Sequence, residues 1–165
     1  MKIPNNINKQ PQSRYRIRFK DCDPLGHLYN TRYLDYMLEA REDHAFHEYD
    51  LNLEEYTRTR GFAWVIVHHE ISYLREAARN EFVQIKSSLI YFSDKMIMNE
   101  YQMWNDDMSE LKSLMWTKFL HIDLKMKKSI AHPEDIKEQL GLLIHPVEEK
   151  SFSERLDVLR KSSSQ

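Results

Sequence analysis

From Arg14 to Lys20 the chain alternates strictly, with Tyr15, Ile17 and Phe19 on one side and Arg14, Arg16, Arg18 and Lys20 on the other. Period two with one apolar face predicts a half-buried strand. The period then lengthens. Tyr33, Leu34, Met37, Leu38, Arg41 and Ala45 recur at helical spacing, which predicts a long helix ending near Tyr49 with Asn30 or Thr31 as its N-cap. Asp50 to Gly61 reads as a charged connection with room for helical turns. Beyond it the period returns to two. Phe62 to Tyr73 is rich in β-branched and aromatic residues, and Glu81 to Phe92 sets Val83, Ile85, Leu89 and Tyr91 on one face. Lys95 to Trp104 and Glu110 to Ile122 are two more strands, joined by the hairpin turn Asn105-Asp106-Asp107. Pro133 opens a short helix that Gly141 stops, and Phe152, Leu156 and Leu159 mark an amphipathic turn or two before a frayed Lys-Ser-Ser-Ser-Gln end. One strand, one long helix and about four strands with hairpin-like connections make an α+β order, not a doubly wound parallel sheet.

Composition narrows the partners. At 165 residues the chain is one domain by size, with a core of its own. A formal charge of -2 gives no electrostatic case for nucleic acid. Three glycines argue against a Gly-rich phosphate cradle, and no nucleotide fingerprint occurs. Cys22 is the only cysteine, which excludes a disulfide framework and a Cys-based zinc site and suits a reducing cytoplasm. Residues 1–13 are polar, with Pro4 and Pro11, and read as a loose lead-in without the apolar stretch of a signal peptide. No run approaches the roughly 20 apolar residues of a membrane span.

The candidate chemistry sits where the first strand meets the helix. Asp21 and Asp23 lie on the turn Asp21-Cys22-Asp23-Pro24-Leu25-Gly26, just before the helix N-terminus. Helix N-termini carry free N–H groups and a partial positive charge, which together polarise a carbonyl. A thioester carbonyl docked there would have its tetrahedral transition state stabilised, and one of the two carboxylates could attack it or activate water. An Asp in a Pro/Gly turn before a helix is more often a turn or capping residue. Residue types alone do not choose between Asp21 and Asp23.

The segment RFKDCDPLGHLYNTRYLDYMLEAR, with Asp-Cys-Asp-Pro followed by Gly26, Asn30, Tyr33-Leu34 and Glu39-Ala40-Arg41, resembles the strand, loop and helix of hotdog-fold acyl-CoA thioesterases of the 4-hydroxybenzoyl-CoA thioesterase-like family. A weaker likeness runs through Ile71-Ser72-Tyr73-Leu74-Arg75 and His121-Ile122-Asp123 to His132-Pro133-Glu134-Asp135-Ile136. The resemblance implies an antiparallel sheet wrapped around one long helix, and homodimers or homotetramers with active sites at subunit interfaces. It implies Asp23 as nucleophile or general base and the backbone N–H of Asn30 or Tyr29 as oxyanion donor. The substrate so implied is an acyl-CoA, hydrolysed to free acid and CoA without metal or redox cofactor. An acyl-carrier-protein thioesterase and a non-catalytic acyl-thioester-binding module are the alternatives. The expected layout is a lead-in over 1–13, a hotdog domain over 14–140 and an extension over 141–165 that covers the sheet, joins the oligomer or hangs free. Where family members often carry Pro-Ala and Gly-Asp, this chain has Glu76-Ala77 and Arg79-Asn80, which leaves substrate choice open.

Other constellations carry less. Asp21, Asp23 and His27 are metal-ligand types but share one loop with poorly specified geometry, so His27 reads better as a pocket-lining residue. Glu39 is a candidate second acid or base, with an Arg salt bridge as the plainer reading. His44 and His47 read as a shared, solvated helix face. His68 and His69 are adjacent on a strand and must face opposite ways. Met96, Met98, Met103, Met108 and Met115 fill either an adaptable acyl pocket or the core.

Overall fold

The computed structural model describes residues 6–163; the start of the lead-in and the last two residues of the C-terminal tail lie outside the described residues. Strand β1 (Gln12–Arg16) is followed by a 3₁₀ turn (Phe19–Asp21) and helix α1 (Asn30–Tyr49). Then come α2 (Leu53–Arg60), β2 (Phe62–Tyr73), β3 (Phe82–Phe92), β4 (Met96–Asn105), β5 (Leu111–Asp123), the short β6 (Lys128–Ser129), α3 (Glu134–Leu143) and α4 (Phe152–Ser162). The strands form one antiparallel sheet in the order β1-β3-β4-β5-β2, with β6 added to β5. This is the α+β hotdog fold.

Alternation decides the two faces of the sheet. Val83 and Ile85 of β3, Tyr101 and Met103 of β4 and Met115 of β5 point to one side and bury Tyr33, Met37 and Ala40 of α1. Ile90, Leu114 and Trp116 point to the other side, where Phe152 of α4 packs edge-on against Trp116. The C-terminal segment therefore covers the sheet's outer face. Met103 and Met115 fill the core.

Several elements depart from the periodicity for identifiable reasons. The strand ends at Arg16, and Phe19, expected on the buried face, is 74% exposed because the chain turns into the 3₁₀ segment after Ile17. The cap position of α1 is Tyr29 rather than Asn30 or Thr31, and no side chain caps it. Tyr91 leaves the face of Leu89 because a bulge shifts the register between them. β2 does not form a hairpin with β3; it lies at the far edge of the sheet against β5. Gly141 does not stop α3, which runs to Leu143. His44 and His47 do not share a face: His44 is buried between Ser13 and Ser87, while His47 is exposed.

Candidate active site

Ile17, fully buried, anchors the chain as it leaves β1. The turn that follows is tied to α1 by Tyr36, whose hydroxyl donates to Asp21 Oδ2 (2.9 Å) and accepts the Arg18 N–H (2.9 Å). Asp21 is buried, and its main-chain oxygen accepts the Tyr29 N–H at 3.0 Å. Asp21 is thus a structural link between loop and helix.

Asp23 occupies a different environment. Its Oδ1 accepts the N–H groups of Leu25 (2.9 Å) and His27 (3.0 Å), and its main chain closes a small loop through Asp23 N to His27 O (2.8 Å) and Gly26 N to Asp23 O (2.9 Å). Gly26 takes a left-handed φ of +82°, which a side chain would strain. Leu28 then docks on Ala77 through a 2.8 Å main-chain bond, setting the angle at which α1 begins.

The helix start faces the same space. Asp23, His27, Asn30, Tyr33, Tyr73 and Arg75 line one open depression of about 260 Å³. Asn30 is the first residue of α1, so its N–H has no carbonyl within the helix. Its own carbonyl accepts the Tyr73 hydroxyl (2.9 Å), which pins the helix N-terminus to the end of β2. Of the two N–H groups expected to polarise a carbonyl, that of Tyr29 is already engaged by Asp21, which leaves Asn30.

The remaining candidates separate. His27 lines the Asp23 depression. Glu39 does not; it is exposed and lies along another groove with Arg14, Arg16, Arg18 and Lys20. Burial pushes the Cys22 thiol up, and its Sγ donates to the Arg18 carbonyl at 3.3 Å, so it is not an activated nucleophile. His69 bonds Thr117 (2.8 Å) while His68 is exposed. Among the described residues no group of three His, Cys, Asp or Glu side chains is placed to hold a metal. Asn80 takes the left-handed conformation (φ +68°), which asparagine tolerates, in the turn before β3. Tyr33, Tyr36 and Tyr73 are the site's unforeseen members: each ties α1 to the loop or sheet through its hydroxyl. Tyr33 was visible only as part of the helical apolar period, and the partners of all three hydroxyls lie far away in sequence.

One long helix held in a curled antiparallel sheet is the hotdog architecture. Residues 17–140 match the Thioesterase-like superfamily, and the chain belongs to that family. It is 24% identical over 133 residues to the long-chain acyl-CoA thioesterase FadM of Escherichia coli (strain K12), an alignment covering 81% of this chain and 98% of that one. Among solved structures, a 1,4-dihydroxy-2-naphthoyl-CoA thioesterase from Synechocystis superposes with a TM-score of 0.73 at 20% identity, over 83% of this chain and 99% of the other. A Staphylococcus aureus protein solved in complex with CoA superposes with a TM-score of 0.76 at 14% identity, over 93% and 95% of the two chains. Among the described residues no helix is long and apolar enough to cross a membrane.

Proposed function

We propose that this chain hydrolyses acyl-CoA thioesters to a free acid and CoA, with Asp23 as general base or nucleophile and the Asn30 N–H as oxyanion donor. One observation carries the reading: Asp23 and the first residue of α1 line the same depression. Because Oδ1 of Asp23 is committed to two backbone N–H groups, Oδ2 is the oxygen we assign to the chemistry. As base, Oδ2 takes a proton from water while the hydroxide adds to the carbonyl carbon, and the resulting oxyanion rests on the Asn30 N–H. Collapse breaks the C–S bond, and the CoA thiolate leaves and is reprotonated. As nucleophile, Oδ2 itself adds to the carbon and expels the thiolate, and water then opens the mixed anhydride. The family membership and the likeness to FadM support this reaction class.

The active unit in this reading is a homodimer. β2 is an edge strand that presents Ile66 and Val67 at 43% and 51% exposure, an edge fitted to pair with a second copy. A homotetramer would need another surface, since α4 already covers the outer sheet face. We place the enzyme in the cytoplasm, which suits its single free thiol, Cys22.

The test is thiol release by the purified full chain across short, long and aromatic acyl-CoAs, with an acyl-carrier-protein thioester alongside. Asp23→Asn is expected to lower turnover by about 10² to 10⁴, the usual worth of a positioned base, with circular dichroism and oligomeric state unchanged. Hydrolysis undiminished in that variant, or absent from the wild type on every CoA substrate, sinks the reading.

A further inference from the structure

The first turn of α1 offers the N–H assigned to the oxyanion, yet it lacks the side-chain devices that ordinarily steady a helix start. No side chain caps it, and no acidic residue stands in it. Arg32 sets a cation near the positive end of the helix instead, and its guanidinium reaches Asp35 (2.8 Å) and Asp21 (4.0 Å). Uncapped helix ends fray, so the order of this turn has to come from contacts made with the rest of the fold. Three hydrogen bonds fix the backbone around the Asn30 N–H. The Tyr29 N–H donates to the Asp21 main-chain oxygen (3.0 Å). The Tyr29 carbonyl, at the far side of the peptide that carries the Asn30 N–H, accepts the Arg32 N–H (2.8 Å). Both of those partners are local, one in the preceding turn and one in the same helix. The third is not: the Asn30 carbonyl accepts the Tyr73 hydroxyl (2.9 Å), and Tyr73 ends β2, 43 residues away. Of the three bonds, it alone ties the helix start to the sheet.

Tyr73 is itself firmly seated. It pairs with Ser113 of β5, and the N–H groups of Leu74 and Arg75 both donate to the Lys112 carbonyl (2.8 and 3.2 Å). Lys112 Nζ then closes the segment on the Glu76 carbonyl (2.8 Å). The Tyr73 ring meets buried Tyr33 edge-on, with centroids 5.1 Å apart, and the Tyr33 hydroxyl accepts the Ala77 N–H (3.1 Å) and donates to the Arg75 carbonyl (3.3 Å). Burial pushes the Tyr73 hydroxyl up, so it stays protonated and able to donate.

We propose that Tyr73 is a positioning residue for thioester hydrolysis: its hydroxyl, held by the sheet, fixes the Asn30 backbone so that the N–H of the same residue meets the oxyanion. Its single proton is committed to the Asn30 carbonyl, so it acts through Asn30 and not on the substrate. The inference rests on the thioester-hydrolase reading for what that N–H does. A donor aimed at an oxyanion counts for more in the transition state than in the bound substrate, so loosening it lowers kcat and leaves KM nearly untouched. Removing such a donor costs about 10² to 10³ in rate, and loosening it costs part of that.

The experiment compares the full chain with Tyr73→Phe, which keeps the ring against Tyr33 and removes only the hydroxyl. Steady-state kinetics on a series of acyl-CoAs should give a kcat lower by about 10- to 100-fold, with KM within about threefold of wild type. Amide hydrogen exchange without substrate should quicken by about tenfold at Arg32 and Leu34, whose N–H groups close the first turn, while the amides from Met37 to Tyr49 keep their rates. A wild-type kcat in the variant overturns the proposal, as does unchanged exchange in the first turn. A raised KM at constant kcat overturns it too, by making the hydroxyl a substrate-binding group. Exchange quickened evenly along α1, with a melting temperature several degrees lower, overturns it by making Tyr73 a general support of the fold. Absence of hydrolysis in the wild type removes the thioester-hydrolase reading and this role with it; full activity in the variant removes the role alone.

Discussion

Arg155, one turn into the last helix, grips Glu100 at the centre of the sheet in a two-pronged ion pair: Nε to Oε2 and Nη2 to Oε1, both at 2.9 Å. Glu100 is 1% exposed and is further bonded by Trp116 Nε1 (2.8 Å) and Gln102 Nε2 (2.6 Å). Four donors on one buried carboxylate offset much of its desolvation, but only while all are present.

Arg155→Ala should therefore destabilise the chain by about 3–5 kcal/mol, the usual result of stranding one partner of a buried pair. Replacing both partners, as in Glu100→Gln with Arg155→Met, should recover much of that loss, since no charge then stays buried. Urea midpoints of the three proteins decide it. A single variant as stable as the wild type would mean that α4 contributes little to the fold.

His44 gives the fold a pH dependence. Its ring bridges Ser87 Oγ (2.7 Å) and Ser13 Oγ (2.9 Å), and burial first, then the neighbouring Arg41 charge, lowers its pKa from 6.5 to about 4, against a smaller opposing effect of Asp43. The folded form thus holds the neutral ring where the unfolded chain would protonate it. Stability is complete above about pH 6.5 and falls as the pH drops toward 4, with a loss on the order of 3 kcal/mol from this residue. His69, His121 and His132 are lowered too, chiefly by burial, and act in the same direction. Denaturant unfolding at several pH values should show this slope, and His44→Gln should flatten it. A profile unchanged by that substitution would remove His44 from the account.

How much of this was readable beforehand depends on the range of the interaction. The bounds of β2 and the end of α1 follow from local composition: Phe62 to Tyr73 is a β-branched and aromatic run, and Tyr49 precedes a residue, Asp50, that adopts a left-handed conformation. That acidic turn residues adjoin a helix start was legible because the two are neighbours in sequence, while the preference for Asp23 over Asp21 came from the family resemblance and not from residue types. Which strand β2 pairs with was not legible, since Trp64 meets His121 across 57 positions of chain. His44 looked solvated because its two serine partners lie on β1 and β3.

The β2 edge carries the assembly reading. Val67 sits at the bulge between Ile66 and His68, outside the register with β5, and is half exposed. A lysine there would set like charges against each other if two β2 edges meet, a standard block to edge pairing. Val67→Lys is expected to convert a dimer to monomer in light scattering while leaving the circular dichroism spectrum intact. A dimer that survives the substitution would place the subunit interface elsewhere.

The two acids of the turn should separate cleanly. In Asp21→Asn the amide oxygen can still accept the Tyr36 hydroxyl, and the main-chain bond from Tyr29 is untouched, so turnover should stay within about tenfold of wild type. In Asp23→Asn the amide oxygen can likewise keep the N–H groups of Leu25 and His27, so the loop survives. What is lost is the second oxygen as a base, and turnover should fall by about 10² to 10⁴. Paired measurement of kcat and thermal stability on the two variants tests the assignment. Equal losses of activity would mean that the loop, and not the Asp23 carboxylate, was disturbed.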